Sequence, residues 1–344
     1  MSNAQKCKEI LESKAKKICV IAGPGSGKTK DIIIPKTQQL IANGIEEKEI
    51  LLLSFSRLSA LDLKRRVKRI GSKLKALTVH AHCLKFLLTE NDHNIRHRIN
   101  SFLLDFEKEF IIADLKITFP SLNKKTIKQM FKDFCAGWTV TPHDEVFEKN
   151  DIQRRFKAAI INWLDEHKAV MVDEIIYFAL DHAKKSPNSD FLKNSKYILI
   201  DEYQDLNKLE QEFVDFLHKD SKFFIAVGDP DQSIYSFKYA YPDGIRLFSQ
   251  REEVEGHTLA YCGRCPRLIL NAANQLLVQE NPARTELPLF LPDKIDGELD
   301  MPQSFQNQDK EFEYVYNSII QKLKNKVSPK EILVIFRNPT AVRP

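Results

Sequence analysis

The chain has 344 residues, 43% of them apolar and 29% charged, a composition that excludes a disordered or fibrous protein and leaves room for about two folded domains. No apolar run approaches the ~18 residues of a membrane span, and the charged stretch from Met1 to Ile18 is unlike a signal peptide, so the expected compartment is the cytoplasm, with no membrane partner. A net charge of +5 permits nucleic-acid binding without demanding it, and six scattered cysteines fit reduced thiols better than a disulfide framework.

In chain order, the apolar run Ile18-Cys19-Val20-Ile21 reads as a strand, and Asp31-Ile32-Ile33-Ile34 opens a helical pattern that fades near Asn43-Gly44. Between them lies Ala22-Gly23-Pro24-Gly25-Ser26-Gly27-Lys28-Thr29. Strand, glycine-rich turn and helix is the order of a phosphate loop. The glycines let successive backbone N–H groups converge on a phosphate with no Cβ in the way, and the helix N-terminus adds a partial positive charge. Lys28 brings a full charge to the terminal phosphates, and the Thr29 hydroxyl can ligate Mg²⁺. Ala22 stands where the first glycine of G-x-x-x-x-G-K-[ST] is usual. A glycine-rich turn that binds nothing is the bland alternative, which the preceding strand disfavours; the reading is a phosphate-loop NTPase.

Ile50 to Ser56 reads as a second buried strand, followed by a helix with a basic face from Ser59 to Ile70, ended by Gly71. Leu77-Thr78-Val79-His80 is a third strand candidate, running into a helix from about Ala81 to Leu88. This βαβαβα order predicts a parallel sheet with ligands at the C-terminal ends of its strands. From Thr89 to Asn194 the apolar spacing becomes helical, over Ile99 to Phe110, Lys124 to Phe134, Asp151 to His167 and Val172 to Ala183, and predicts an all-helical insertion. Its lysines Lys124, Lys125, Lys128 and Lys132 alternate with Phe131, Phe134 and Trp138, which offers a DNA-facing patch as one reading and, in preference to it, a solvated helix face with an apolar back.

The sheet pattern returns at Tyr197 to Glu202 and at Phe223 to Asp229. The first of these strands ends in two carboxylates, as a phosphate loop requires: Asp201 for the Mg²⁺ shell and Glu202 to orient and deprotonate the attacking water. A further strand is expected at Thr258 to Tyr261, a helix from Pro266 to about Gln279, a loop from Asn281 to Pro302, a helix near Asp309 to Lys324 and a last strand at Ile332 to Phe336.

Asp201-Glu202-Tyr203-Gln204-Asp205-Leu206-Asn207 and Val227-Gly228-Asp229-Pro230-Asp231-Gln232-Ser233-Ile234-Tyr235-Ser236-Phe237 resemble motifs II and III of superfamily 1 DNA helicases of the UvrD/Rep/PcrA type, in that family's order after the phosphate loop. Ser54 to Arg57 resembles motif Ia, Thr78 to His82 motif Ib, Leu259 to Pro266 motif IV, and Glu331 to Arg337 the strand called IVa. The resemblance implies an α/β fold with a RecA-like parallel-sheet P-loop NTPase domain over residues 1–88 and 195–265. It implies a helical insertion over 89–194 where the family keeps its 1B subdomain, and the start of a second RecA-like domain over 266–344. The activity implied is that of an ATP-dependent DNA helicase or translocase, using ATP and Mg²⁺ and moving 3′ to 5′ on single-stranded or partly duplex DNA. Nothing resembles motifs V and VI, so the chain is expected to be the N-terminal portion of such a helicase and to unwind nothing by itself.

Carried over by position, the family's pattern gives catalytic roles to Lys28, Glu202, Gln232 as γ-phosphate sensor and Arg264 as γ-phosphate contact. It gives nucleotide binding to Gln5, Ala22, Gly23, Gly25, Ser26, Gly27, Lys28 and Thr29, with Gln5 as the adenine reader, and the metal to Thr29 and Asp201. DNA contacts fall on Phe55, His80, Tyr235, Phe237 and Lys238; an aromatic face stacks any base, as a translocating motor requires. On residue type alone, Gln232 is a polar loop residue, Arg264 a surface charge, and Phe55 and Phe237 are candidates for core packing. Three departures stand out: Cys262-Gly263-Arg264 replaces Asn-Tyr-Arg in motif IV, Arg57-Leu58 replaces Asn-Lys in motif Ia, and Cys262 to Cys265 is a C-x-x-C with no second pair to complete a zinc site. The motor of a helicase-nuclease of the AddA/RecB type and a degenerate DNA-binding protein without turnover remain alternatives. A P-loop small-molecule kinase is disfavoured by Gly228 to Phe237.

Overall fold

The computed structural model describes residues 2–98, 101–104, 106–139, 147–282, 287–291, 295–300 and 303–336. The chain divides into two compact units, 1–297 and 298–344.

The first unit is built on a six-stranded sheet of β1 (Lys17–Ala22), β2 (Ile50–Ser54), β3 (Lys75–Thr78), β6 (Tyr197–Asp201), β7 (Phe223–Gly228) and β8 (Glu255–Leu259), in the order β3-β2-β6-β7-β1-β8. Every pairing is parallel. Parallel strands covered on both faces read as unbroken apolar runs, and β2 and β7 do so because alternate residues enter different cores. Leu51 and Leu53 join one core with Ile198, Ile200, Phe224 and Ala226, while Ile50 and Leu52 join the other with Leu199, Ile225 and Val227. The register sets Ser54 beside Asp201 and Ile21 beside Gly228, so the strands end level and the loops after β1, β2, β6 and β7 leave from one edge.

Helix α1 (Asn3–Glu12) precedes the sheet. After β1 the chain turns through the glycine loop into a π-helical turn, Lys28–Ile33, continued by α2 (Ile34–Ala42). Helix α3 (Arg57–Val67) begins two residues before the sequence pattern suggests, because the Ser56 hydroxyl caps it by accepting the N–H of Ser59 at 3.0 Å. The third strand likewise ends at Thr78 rather than His80. The Thr78 hydroxyl accepts the Ala81 N–H at 3.1 Å, starting α4 (Val79–Thr89) and placing His80 in its first turn. The edge strand β8 starts three residues earlier than expected; it is mostly exposed, so its Glu255-Gly256-His257-Thr258 shows no apolar run.

Among the described residues between α4 and β6, the regular structure is helical apart from one short parallel pair, β4 (Ser101–Leu103) with β5 (Ala169–Met171). Where a helix was expected over 99–110, β4 occupies its middle and the helix forms only at Lys108–Thr118; Ile99 lies outside the described residues. Helices Lys124–Gly137 and Asp151–Glu166 complete a separate core around Phe131, Phe134, Trp138, Phe156 and Ile160. Lys124 and Lys128 both pair with Glu109, so the lysine-rich side of Lys124–Gly137 is a solvated face backed by buried aromatics. Past β8, strand β9 (Tyr261–Cys262) pairs with β10 (Leu289–Phe290), the latter inside a stretch expected to be loop, and helix Arg267–Glu280 lies between them in sequence.

The second unit holds helix Gln308–Lys324, capped by Asn307, and a 3₁₀ turn at Pro329–Glu331. The strand expected at Ile332 to Phe336 pairs with nothing among the described residues. Leu333 and Ile335 are each 82% exposed, since a strand without a neighbour leaves its side chains and backbone groups in water; Arg337 lies outside the described residues. No helix among the described residues is long and apolar enough to cross a membrane.

Candidate nucleotide and nucleic-acid site

At the edge where β1, β6 and β7 end, the glycine loop meets the two carboxylates after β6. The Lys28 Nζ lies 3.2 Å from Glu202 Oε2, and the Thr29 hydroxyl donates to Asp201 Oδ2 at 2.5 Å. Gly25 and Gly27 have φ of +64° and +95°, the left-handed region that favours glycine; a Cβ on Gly27 would lie 2.0 Å from Asp31 Oδ2. Glu202 also has positive φ, 57°, which costs a non-glycine residue on the order of 1 kcal/mol and turns its side chain back toward Lys28 as the chain leaves the strand. Asp201 is 6% exposed; burial, and then the charge of Glu202, push its carboxyl up to about 6, against the Thr29 hydrogen bond and the Lys28 charge. A threonine hydroxyl and a carboxylate converging on one point are hard oxygen donors of the kind Mg²⁺ takes, so this pair fits the metal.

A relay of hydrogen bonds runs from Glu202 into the loop after β7. Gln204 Nε2 donates to Glu202 Oε2 at 3.0 Å, Gln204 Oε1 accepts the Asp229 N–H at 2.9 Å, and Gln232 Nε2 donates to Asp229 Oδ2 at 2.6 Å. Lys28, Glu202 and Gln232 are thus joined through two residues, Gln204 and Asp229, that sequence reasoning did not single out. Both lie inside the motif stretches, but nothing in residue type distinguishes a buried bridging amide from a neighbour. Asp205 is also buried, and burial, with the Glu202 charge second, pushes its carboxyl up to about 6.

Above the loop, the Gly263 N–H donates to Gly25 O at 3.0 Å, and a Cβ on Gly25 would lie 2.4 Å from Arg264 Cβ. Arg264 is therefore brought against the phosphate loop by its backbone. Cys262 and Cys265, on either side of Gly263 and Arg264, are not joined in a disulfide, and the Cys265 N–H points at Cys262 Sγ, 3.3 Å away. Ala22 is fully buried beneath the loop and Ser26 is nearly so. Gln5 is exposed on α1, its backbone N–H taken by the Ser2 cap.

A second cluster forms beside the first, on the loops after β2 and β7. The Phe55 and Tyr235 rings are 4.8 Å apart and Tyr235 and Phe237 5.8 Å, while Lys238 Nζ lies 5.6, 5.7 and 6.0 Å from the Phe55, Tyr235 and Phe237 centroids. Phe237 is 71% exposed, whereas Phe55 packs partly on the core. The arrangement is a cluster of three rings tilted to one another by 48° and 52°, with a cation near all three faces and Phe237 open to solvent. His80, within reach of the Lys238 charge, is held by Glu210 instead of by the rings: its Nδ1 is 3.0 Å from the buried Glu210 Oε1. Burial lowers its pKa, but the hydrogen bond and charge of Glu210 outweigh this and the net shift is upward.

A family model described as the UvrD/REP helicase N-terminal domain matches residues 2–253. The ATP-dependent DNA helicase PcrA of Staphylococcus epidermidis is 25% identical over 334 residues, covering 93% of this chain and 46% of the relative. PcrA of Staphylococcus aureus is 24% identical over 344 residues, covering 96% and 47%. The chain spans about half the length of the curated relatives it matches.

Proposed function

Since the chain belongs to the UvrD/REP helicase N-terminal domain family, we propose that it is the nucleotide-binding portion of an ATP-dependent DNA helicase or translocase moving 3′ to 5′ on single-stranded DNA. The observation that carries the reading is the convergence of Lys28 on Glu202 and of Thr29 on Asp201, joined through Gln204 and Asp229 to Gln232. Residues 1–88 and 195–265 form the RecA-like domain in this reading, 89–194 the insertion and 266–344 the start of a second such domain.

Lys28 and the loop amides of Gly23, Gly25, Ser26 and Gly27 bind the phosphates of ATP, and Thr29 and Asp201 hold Mg²⁺. When bound, that ion neutralises charge on the terminal phosphates. Glu202, oriented by Lys28 and Gln204, takes the proton of the attacking water; Gln232 and Arg264 stabilise charge on the γ-phosphoryl group. Gln5 has the adenine as its proposed contact. Phe55, Tyr235, Phe237 and Lys238 form the base-stacking track, with His80 beside it. These 344 residues alone are proposed to bind nucleotide and, weakly, single-stranded DNA, and to separate no strands.

The test is single-turnover ATP hydrolysis with saturating oligo-dT, comparing the chain with Glu202→Gln and Lys28→Ala. DNA-dependent hydrolysis lost at least about a hundredfold in Glu202→Gln supports the reading, since removing a positioned general base costs that much. Equal rates in the unmodified chain and Glu202→Gln would favour a binding protein without turnover. Robust strand separation by the 344-residue chain would refute the last part of the proposal.

A further inference from the structure

Asn3 lies at the start of the chain and contacts the phosphate loop and the segment that carries Arg264 at the same time. Its Nδ2 donates to Tyr261 O at 2.7 Å and to Ser26 O at 3.3 Å, and its Oδ1 accepts the Tyr261 N–H at 3.2 Å. The two contacts to Tyr261 use the amide as a strand neighbour would, one donor and one acceptor against one residue's backbone. That pairing fixes which way the amide faces, because the flipped side chain would set donor against donor and acceptor against acceptor. The third bond reaches the loop residue next to Gly25, whose carbonyl already receives the Gly263 N–H. Residues 261–264 are therefore latched to the phosphate loop at two places, through Asn3 at one end and through Gly25 at the other.

The Arg264 side chain is exposed and makes no hydrogen bond or ion pair with the described residues. What fixes where this long, rotamer-rich side chain starts from is its backbone, and the backbone is held by the latch. Alanine at position 3 would remove all three bonds. Aspartate would keep the acceptor for the Tyr261 N–H but set a carboxylate against the Tyr261 and Ser26 carbonyl oxygens.

We propose that Asn3 is a positioning residue for Arg264, holding the Tyr261–Arg264 segment on the phosphate loop so that the guanidinium meets the γ-phosphate; this rests on the nucleotide-site reading above. It acts through another residue and is not itself a contact to the reacting atoms. Nucleotides with and without a γ-phosphate therefore separate its effect from general damage to the loop.

The test measures equilibrium binding of ATPγS and of ADP, each with Mg²⁺, to the 344-residue protein and to Asn3→Ala, Arg264→Ala and the double variant. Asn3→Ala is expected to weaken ATPγS about tenfold, the scale of one lost charge-assisted hydrogen bond, and to change ADP by less than about twofold. Arg264→Ala should do the same, and Asn3→Ala added to it should have no further effect. Equal ATPγS affinities for Asn3→Ala and the unmodified protein would overturn the inference and leave the functional reading standing. Parallel loss of ADP and ATPγS, or additive effects in the double variant, would also overturn it, showing Asn3 to hold the loop rather than Arg264. An unmodified protein that binds neither nucleotide would overturn both.

Discussion

Gly228 and Gln204 share one space: a Cβ on Gly228 would lie 2.4 Å from Gln204 Oε1, with Ile245 Cδ1 at 2.9 Å closing the other side. Glycine leaves room for the Gln204 amide, which passes close to the β7 backbone to reach both Glu202 and the Asp229 N–H. Gly228→Ala is expected to displace Gln204, to cost about 1–3 kcal/mol by overpacking, and to slow hydrolysis by loosening Glu202. Chemical denaturation and single-turnover hydrolysis measure the two effects, and a variant equal to the unmodified protein in both would sink the account of the relay.

Phe237 is the most exposed ring of the aromatic cluster, lying across Tyr235 and beneath Lys238. Phe237→Ala is expected to weaken single-stranded DNA binding by about 1–3 kcal/mol, with little change in folding stability. Fluorescence anisotropy with labelled oligo-dT checks the affinity, and the loss should be similar for oligo-dA because stacking does not read base identity.

His82 is 2% exposed in α4, packed against Phe191, and neither ring nitrogen has a hydrogen-bond partner. Burial, with nearby lysines second, lowers its pKa to about 3. The unfolded chain takes up a proton near pH 6.5 while the folded chain stays neutral, so stability falls as pH drops from 6.5 toward 3. Each pH unit in that window costs about 1.4 kcal/mol, or about 2 kcal/mol by pH 5. His82→Leu should flatten this acid limb and raise stability at pH 7 by about 1 kcal/mol. A pH series of urea denaturations would show it, and an unchanged acid limb would contradict it.

Glu174 and Arg98 form a buried pair with N–O distances of 3.2–3.3 Å, and Glu174 Oε1 also accepts the Met171 N–H at 3.0 Å, holding the end of β5. Burial pushes the Glu174 carboxyl up to about 7, with Arg98 opposing. Arg98 keeps a second carboxylate, Asp165, whose Oδ1 lies 3.4 Å from its Nε, so Glu174→Ala removes the bonds to Arg98 and to the Met171 N–H without stranding the guanidinium and is expected to cost about 1–3 kcal/mol. Thermal unfolding measures it; a loss below about 1 kcal/mol would mean that Asp165 and water satisfy Arg98 by themselves.

The central sheet was legible because its strands are buried on both faces and leave long apolar runs, and the glycine loop because its chemistry is concentrated in consecutive residues. Less local features were hidden. Edge strand β8 carries polar residues, β4 and β5 are three residues each, and the boundary at Thr78 depends on one hydroxyl closing a cap. At the site, Lys28, Thr29, Asp201 and Glu202 could be named from spacing. Gln204, Asp229 and Asn3 could not, since their importance lies in partners 25 and 258 residues away along the chain. The strand expected at Ile332–Phe336 shows the converse: an apolar run supplies a strand's side chains but not the neighbour its backbone needs.

The β4–β5 pair has a consequence for how this protein can vary. Ser101–Leu103 and Ala169–Met171 run side by side at the two feet of a helical excursion that keeps a hydrophobic interior of its own. Entry and exit are thereby stitched at a fixed separation, whatever is threaded between them. A change of length inside the excursion is expected to leave the spacing of its feet, and so the edge that carries Lys28 and Glu202, as it was.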